Sequence, residues 1–298
     1  MAGLQIAAIL RSPAYSPNHI GNDAALLNSV CAQLRKRGCS VRIYTEAELM
    51  EGKVTEQVIA SMCRERKSLE ILQHLEDSGV LVINSAYGVE NCKRERLGRI
   101  LQSNQIPYPD SVLSLTDRSV KQQLEQMNFS RCWVKRADFH SQHKEDITFA
   151  LNPQEAQDIV QEYFLRGIRT AVIDRHLEGN LVKFYGIRGT AFFHWYHPFD
   201  RQQNASGLDP TDGSAPTFTF SVDALMAMSS RAATALGIEI YGGDAIVDAS
   251  GAITIININD WPSFARCRDE ATPIIARLIL AAAKLKLTPK KRNSISSL

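Results

Sequence analysis

Near its C-terminal end the 298-residue chain reads IININDWPSF, residues 255–264. Asn257 and Asn259 stand two apart in an apolar run, so in a strand they share one face. Amide oxygens are hard donors that suit Mg²⁺, but they bring no charge. The longer run DAIVDASGAITIININ, residues 244–259, reads as a β-hairpin, two apolar alternating segments joined at Ser250-Gly251. With those two residues as the turn, Ala249 faces Ala252 and, counting outward, Asp244 faces Asn257. Asp244, Asn257 and Asn259 then converge on one patch, with Asp248 nearer the turn. One carboxylate and two amides fit an Mg²⁺ ion that takes its other ligands from water and nucleotide phosphates. Asp248 and Asp260 are candidates for a second charge. Asparagines capping a strand end beside solvated aspartates are the competing reading, and these residues alone leave it open.

Cations that would meet phosphates lie upstream. Lys135 sits in CWVKRAD and Lys183 in LVKFYGI, both strand-like, with Arg188 five residues beyond Lys183. Each is equally the pattern of a half-exposed strand or hairpin surface. His140, His143 and Lys144 fall in the loop RADFHSQHKED, and two histidines are too few for a zinc site. Lys93, Arg94, Arg96 and Arg99 crowd one helix, as an anion-receiving face or as a solvated one. The six cysteines are scattered without a C-x-x-C pair, the pattern of reduced thiols in a cytoplasmic protein.

These residues need a scaffold, and the chain spells one out. LQIAAIL (4–10), SVRIYT (40–45) and GVLVINS (79–85) read as buried strands, with a helix at 23–38 and another over 54–77. Strands alternating with helices imply a parallel sheet covered by helices, running to about residue 110. A basic helix then meets Pro107 and Pro109, which end it. Residues 131–150 alternate as strand, loop and strand, followed by a helix at 153–166 and the strand RTAVIDRHL. Residues 181–198 read as a hairpin around Arg188-Gly189. The polar stretch 199–217 has the length of a lid or substrate loop. Helices are expected at 221–236 and 270–286, and a polar basic tail ends the chain.

Taken in this order, the motifs resemble the ATP-grasp superfamily, including D-alanine–D-alanine ligase-like and inositol-trisphosphate kinase-like enzymes. The resemblance runs over nearly the whole chain. It implies an α/β fold with an N-terminal parallel domain (1–110), a small lid lobe (111–177), a C-terminal lobe carrying the metal site (178–288) and a flexible tail (289–298). It implies ATP and Mg²⁺ as cofactors. Lys135 matches the lid-strand lysine on the nucleotide phosphates. Asp174, Arg175, His176, Leu177 and Glu178 match the hinge whose backbone pairs with adenine. Lys183 matches a cation aimed at the transferred phosphate or the substrate, with Arg188 doing similar work. Asp244, Asn257 and Asn259 match the metal ligands. The chain departs from the pattern at Asn257, where an acid is usual, and at Leu181, near the place of a ribose-binding glutamate, for which Glu178 is the nearest substitute.

The implied activity is ligation of a carboxylate to an amine or thiol through an acyl phosphate. A small-molecule kinase resembling inositol phosphate kinases and a nucleotide-binding module without turnover are the alternatives. A formal charge of +2 gives no case for nucleic acid or membrane binding, so the expected partner is a small-molecule substrate, with a homodimer left open. The N-terminus has no basic leader and reads as a first strand rather than a signal peptide.

Overall fold

The computed structural model describes residues 3–15, 20–137, 144–198 and 218–288. His140, His143, the 199–217 loop and the 289–298 tail therefore lie outside the described residues. A parallel sheet comes first, with β1 (Gln5–Ile9), β2 (Ser40–Tyr44), β3 (Val58–Ser61) and β4 (Leu81–Ile83) in the order β2-β1-β3-β4. It is interleaved with α1 (Ile20–Lys36), α2 (Glu46–Met50), α3 (Arg66–Asp77), α4 (Ala86–Asn91) and α5 (Arg94–Ser103). The expected helix over 54–77 is corrected here. Val58–Ser61 forms an inner strand, β3, buried along its whole length, and only Arg66–Asp77 is helical. A short run buried on both faces shows no period of two, so its pattern does not distinguish strand from helix.

A second sheet, antiparallel, is built from β5 (Ser111–Leu115), β6 (Cys132–Arg136), β7 (Ile147–Ala150) and β8 (Thr170–Arg175), in the order β5-β8-β6-β7. The helices α6 (Lys121–Gln126) and α7 (Pro153–Leu165) share its core. Asn152 caps α7 by accepting from the Glu155 amide, and Pro153 occupies the first turn, where its missing N–H is harmless. The third sheet, also antiparallel, contains β9 (Asn180–Ile187), β10 (Phe193–Tyr196), β11 (Ile240–Val247) and β12 (Ile253–Asp260), in the order β10-β9-β11-β12. On its apolar face lies α8 (Val222–Leu236), which ends at Gly237 in the left-handed conformation.

The last helix, α9 (Arg268–Leu287), goes back to the beginning of the chain. Ala271, Ile275, Ala276, Ile279 and Ala283 are buried in one core with Ile6, Leu26, Leu27 and Val30. That core also takes in Ile187, Ile240, Trp261 and Phe264 from the third sheet, so the first and third sheets are joined through it. The second sheet keeps a core of its own, drawn from residues between Val112 and Ile173. All six cysteines are buried and unpaired, as expected for structural thiols. Among the described residues no helix is long and apolar enough to cross a membrane.

A buried ion network fastens the end of β12 to the first sheet. Arg11 donates to Asp23 at 2.7 Å and to Asp260 at 3.3 Å, and to the carbonyls of Met62 and Trp261. Arg64 holds the other Asp260 oxygen at 3.0 Å. The side chains of Arg11 and Asp260 are 4% and 0% exposed. Removing one partner of such a network strands a buried charge, at a cost of about 3–5 kcal/mol. Arg11→Met should therefore lower the urea midpoint of unfolding by that equivalent; a midpoint unchanged from wild type would show that the network contributes nothing.

Candidate active site

The hairpin brings the expected residues together by a route the sequence does not show. Its turn is one residue wider than Ser250-Gly251, so Val247 pairs with Ile253 and Ala245 with Ile255. A bulge between Asp244 and Ala245 then leaves Ile256 unpaired and returns the register, and Asp244 does face Asn257. On its other side Asp244 faces Lys183 of β9. The Lys183 ammonium donates to Asp244 Oδ1 at 2.6 Å, and the Asn257 amide donates to Oδ2 at 3.3 Å. Burial works against the Lys183 ammonium, but the charge and hydrogen bond of Asp244 outweigh it, so its pKa lies above the ordinary lysine value.

Two candidates for a second metal charge are ruled out. Asp248 accepts from the Ser250 and Ala252 amides and the Ser250 hydroxyl, so it serves the turn. Asp260 points away from the Asn257 face and is held by Arg11 and Arg64. Asn259 does share the Asn257 face, opposite Gly242. A side chain at Gly242 would strike Tyr185 Cδ1 at 2.7 Å and Pro262 Cγ at 2.8 Å, so only glycine fits beside Asn259.

Across from this patch, Lys135 of β6 donates to Asp174 Oδ2 at 2.6 Å. Asp174 is 1% exposed and also accepts from Ser111 at 2.6 Å and Tyr108 at 3.4 Å. Its side chain is thus an anchor for the lysine, over and above any role of its backbone. Burial first, and then the Asp174 carboxylate, raise the Tyr108 pKa, which keeps the phenol a neutral donor. Trp133, two residues before Lys135 on the same face, donates its indole N–H to His176 Nδ1 at 3.1 Å.

A cleft of about 390 Å³ lies between the second and third sheets. Lys135, Asp174, Arg175, His176, Leu177, Asp244 and Asn257 line it, so most of the residues singled out in the sequence meet in one place. Lys183 reaches its rim through Asp244. The remaining expectations fare differently. The Arg175 guanidinium is spent on Asp110, Met127 O and Asn128 O, so this residue lends the cleft no cation. Glu178 is 71% exposed and paired with Arg131, outside the lining. Arg188 binds Glu239 and the Ile238 carbonyl at the far end of β9, away from the cleft. Of the basic helix, only Arg94 enters the cleft, where burial pulls its pKa down; Lys93 and Arg96 are paired with Glu90.

The structure adds an apolar half formed by Trp133, Ile147, Leu181, Ile246 and Ile256. Trp133 and Leu181 stand two residues from Lys135 and Lys183, and strand periodicity alone was enough to place them. Ile256 was not readable, because only the bulge turns it to this face. Chemically, the arrangement offers a carbon-lined slot closed at one end by ammonium, carboxylate and amide groups. Among the described residues no three His, Cys, Asp or Glu side chains cluster as a metal site. Asp244 and Asn257 are thus a sparse donor pair, suited to a hard cation that completes its shell with phosphate and water.

No protein-family model and no curated protein matches the sequence. Solved structures do match the three-sheet arrangement. The D-alanine–D-alanine ligase of Bacillus anthracis, solved with ATP, superposes with a TM-score of 0.69 at 14% identity, over 96% of this chain and 99% of that one. A RimK-domain ATP-grasp protein of Sphaerobacter thermophilus gives 0.66 at 14% identity, over 92% and 99%. The ATP-grasp ligase PsnB, solved with a minimal precursor, gives 0.61 at 13%, over 94% and 99%. The chain has the ATP-grasp fold. The cleft of this ATP-grasp chain lies where its two antiparallel sheets face each other, with α5 and the Pro107–Pro109 segment closing one side.

Proposed function

We propose that the protein is an ATP-dependent ligase that activates a carboxylate as an acyl phosphate and passes the acyl group to an amine or thiol. The observation that supports this most is the split lining of the cleft, apolar along Trp133, Ile147, Leu181, Ile246 and Ile256 and polar at Lys135, Asp244 and Asn257. A nucleotide has the same division, with a flat base at one end and polyphosphate at the other. Similarity to ligases solved with ATP and with a precursor supports the same reading.

In this reading the base lies against the hinge at His176–Leu177 and the phosphates reach Lys135 and Lys183. Asp244 and Asn257, with Asn259 next on their face, would hold Mg²⁺, which neutralises phosphate charge. Lys183 leaves Asp244 Oδ1 for the γ-phosphate and stabilises charge there as it shifts. A substrate carboxylate oxygen attacks the γ-phosphorus, the bond to the bridging oxygen breaks, and ADP departs. The acceptor then attacks the acyl carbon; phosphate leaves and takes up the acceptor's proton. No protein nucleophile is required, so positioning and charge stabilisation carry the rate.

The decisive experiment is ADP release in MgATP with pools of carboxylic acids plus hydroxylamine, which traps an acyl phosphate as a hydroxamate. Hydroxamate formed with ADP in equal amount is the expected result. ADP release with polyols alone would replace the ligase by a kinase. No release from any pool would leave a binding module.

A further inference from the structure

We propose that the nucleotide site does not read the ribose 2′-hydroxyl. The inference rests on the ATP reading and goes beyond it, to the sugar. From hinge to phosphate end the chain passes Leu177, just before β9, then Leu181 in the cleft lining, then Lys183, which meets the lining through Asp244. Leu181 is paired across the sheet with Ile246, as Lys183 is with Asp244. Two residues along a strand advance about 6.6 Å, roughly the step from one nucleotide moiety to the next. A base held at the hinge and phosphates held by the charged pair leave the sugar on Leu181 and Ile246, beside Ile256.

Those three side chains have no hydrogen-bonding atoms. Several polar groups of the same cleft are committed elsewhere, and the His176 Nε2 edge lies at the hinge, 3.6 Å from Glu178 Oε1. Both Asp174 oxygens are occupied by Lys135, Ser111 and Tyr108. His176 Nδ1 accepts from Trp133, and Arg94 donates to the Arg136 carbonyl at 2.9 Å. Even the Leu181 carbonyl is engaged, by His197 Nδ1 at 3.2 Å. Glu178, the nearest carboxylate in sequence, is paired with Arg131 outside the lining. Among the described residues the sugar thus meets a carbon floor. A site built to hydrogen-bond a hydroxyl rejects the analogue that lacks it by large factors, because its own polar group is left unpaired. A carbon wall has no such group to strand.

The test is calorimetric titration of the full chain, in Mg²⁺, with ATP and with 2′-deoxy-ATP. The two dissociation constants should agree within about threefold, the range left when no polar partner is stranded. A preference for ATP of about tenfold or more would overturn the inference while leaving the ATP reading intact. If neither nucleotide binds, that reading falls and this one with it. Leu181→Gln supplies the second arm, by placing an amide of similar size on the same partly buried position. It should open a preference for ATP of about tenfold, equivalent to one good hydrogen bond, with 2′-deoxy-ATP unchanged. An unaltered ratio in that variant would mean the sugar does not lie on Leu181, and the inference fails.

Discussion

Replacing Asp244 by alanine should lower MgATP-dependent turnover by roughly two to three orders of magnitude, the range seen when a group that stabilises developing charge is removed. Asp244 is the carboxylate of the donor patch, and it makes two contacts at once, with Lys183 at 2.6 Å and Asn257 at 3.3 Å. In the proposed site the phosphates would then face neutral amides and a freed ammonium. The variant should therefore still bind ATP, and that binding should no longer tighten when Mg²⁺ is added. Calorimetry with and without Mg²⁺ reads this directly. A variant whose ATP affinity keeps the wild-type response to Mg²⁺ would move the metal away from Asp244.

Lys183→Met cuts the same ion pair from the other side and should have the opposite signature. The methionine fills most of the lysine's volume at a position where the side chain is 37% exposed, so folding should be preserved. Turnover should fall by roughly 10²–10³, because the proposed mechanism then lacks a cation where charge shifts in the transition state. Mg²⁺ dependence should survive, and the metal concentration for half-maximal turnover should drop, since Asp244 Oδ1 no longer serves a competing ammonium. Steady-state rates across a Mg²⁺ series are the measurement. A higher metal requirement, or turnover within twofold of wild type, would show that Lys183 only braces the carboxylate.

How much of this was legible before the structure depends on the kind of information each residue carries. The pairing of Asp244 with Asn257 follows from alternation and a turn signal, both local. It came out right although the turn is a residue wider than Ser250-Gly251 suggests, because the bulge at Ile256 cancels the difference. A sequence records neither event, and only their sum is visible. Lys135 and Lys183 were readable as strand cations, but their partners Asp174 and Asp244 sit on neighbouring strands tens of residues away in the chain. Arg188 looked equivalent to Lys183 on charge and spacing. What sets it apart is Glu239, the residue before β11, a contact that depends on the sheet order. β3 was hidden for the opposite reason: burial on both faces erases the alternation by which strands are recognised. The general outline was therefore written in periodicity, while the commitments of individual charges were written in the way the strands are ordered.

The return of α9 to the first core carries a consequence for how the chain must come into being. Ile6 and Ala8 of β1 emerge long before Ile275, Ile279 and Ala283 of α9 complete that core. At about 5–20 residues per second, roughly 14 to 55 s separate the emergence of Ile6 from that of Ala283. During that interval the first core has α1 but lacks α9, while the lobe centred on Val134 and Ile173 holds every residue of its own core as soon as Ile173 has emerged. The middle of the chain can thus fold before its beginning does. A ribosome stalled between α1 and α9 presents an apolar sheet face that α1 covers in part and α9 does not yet reach.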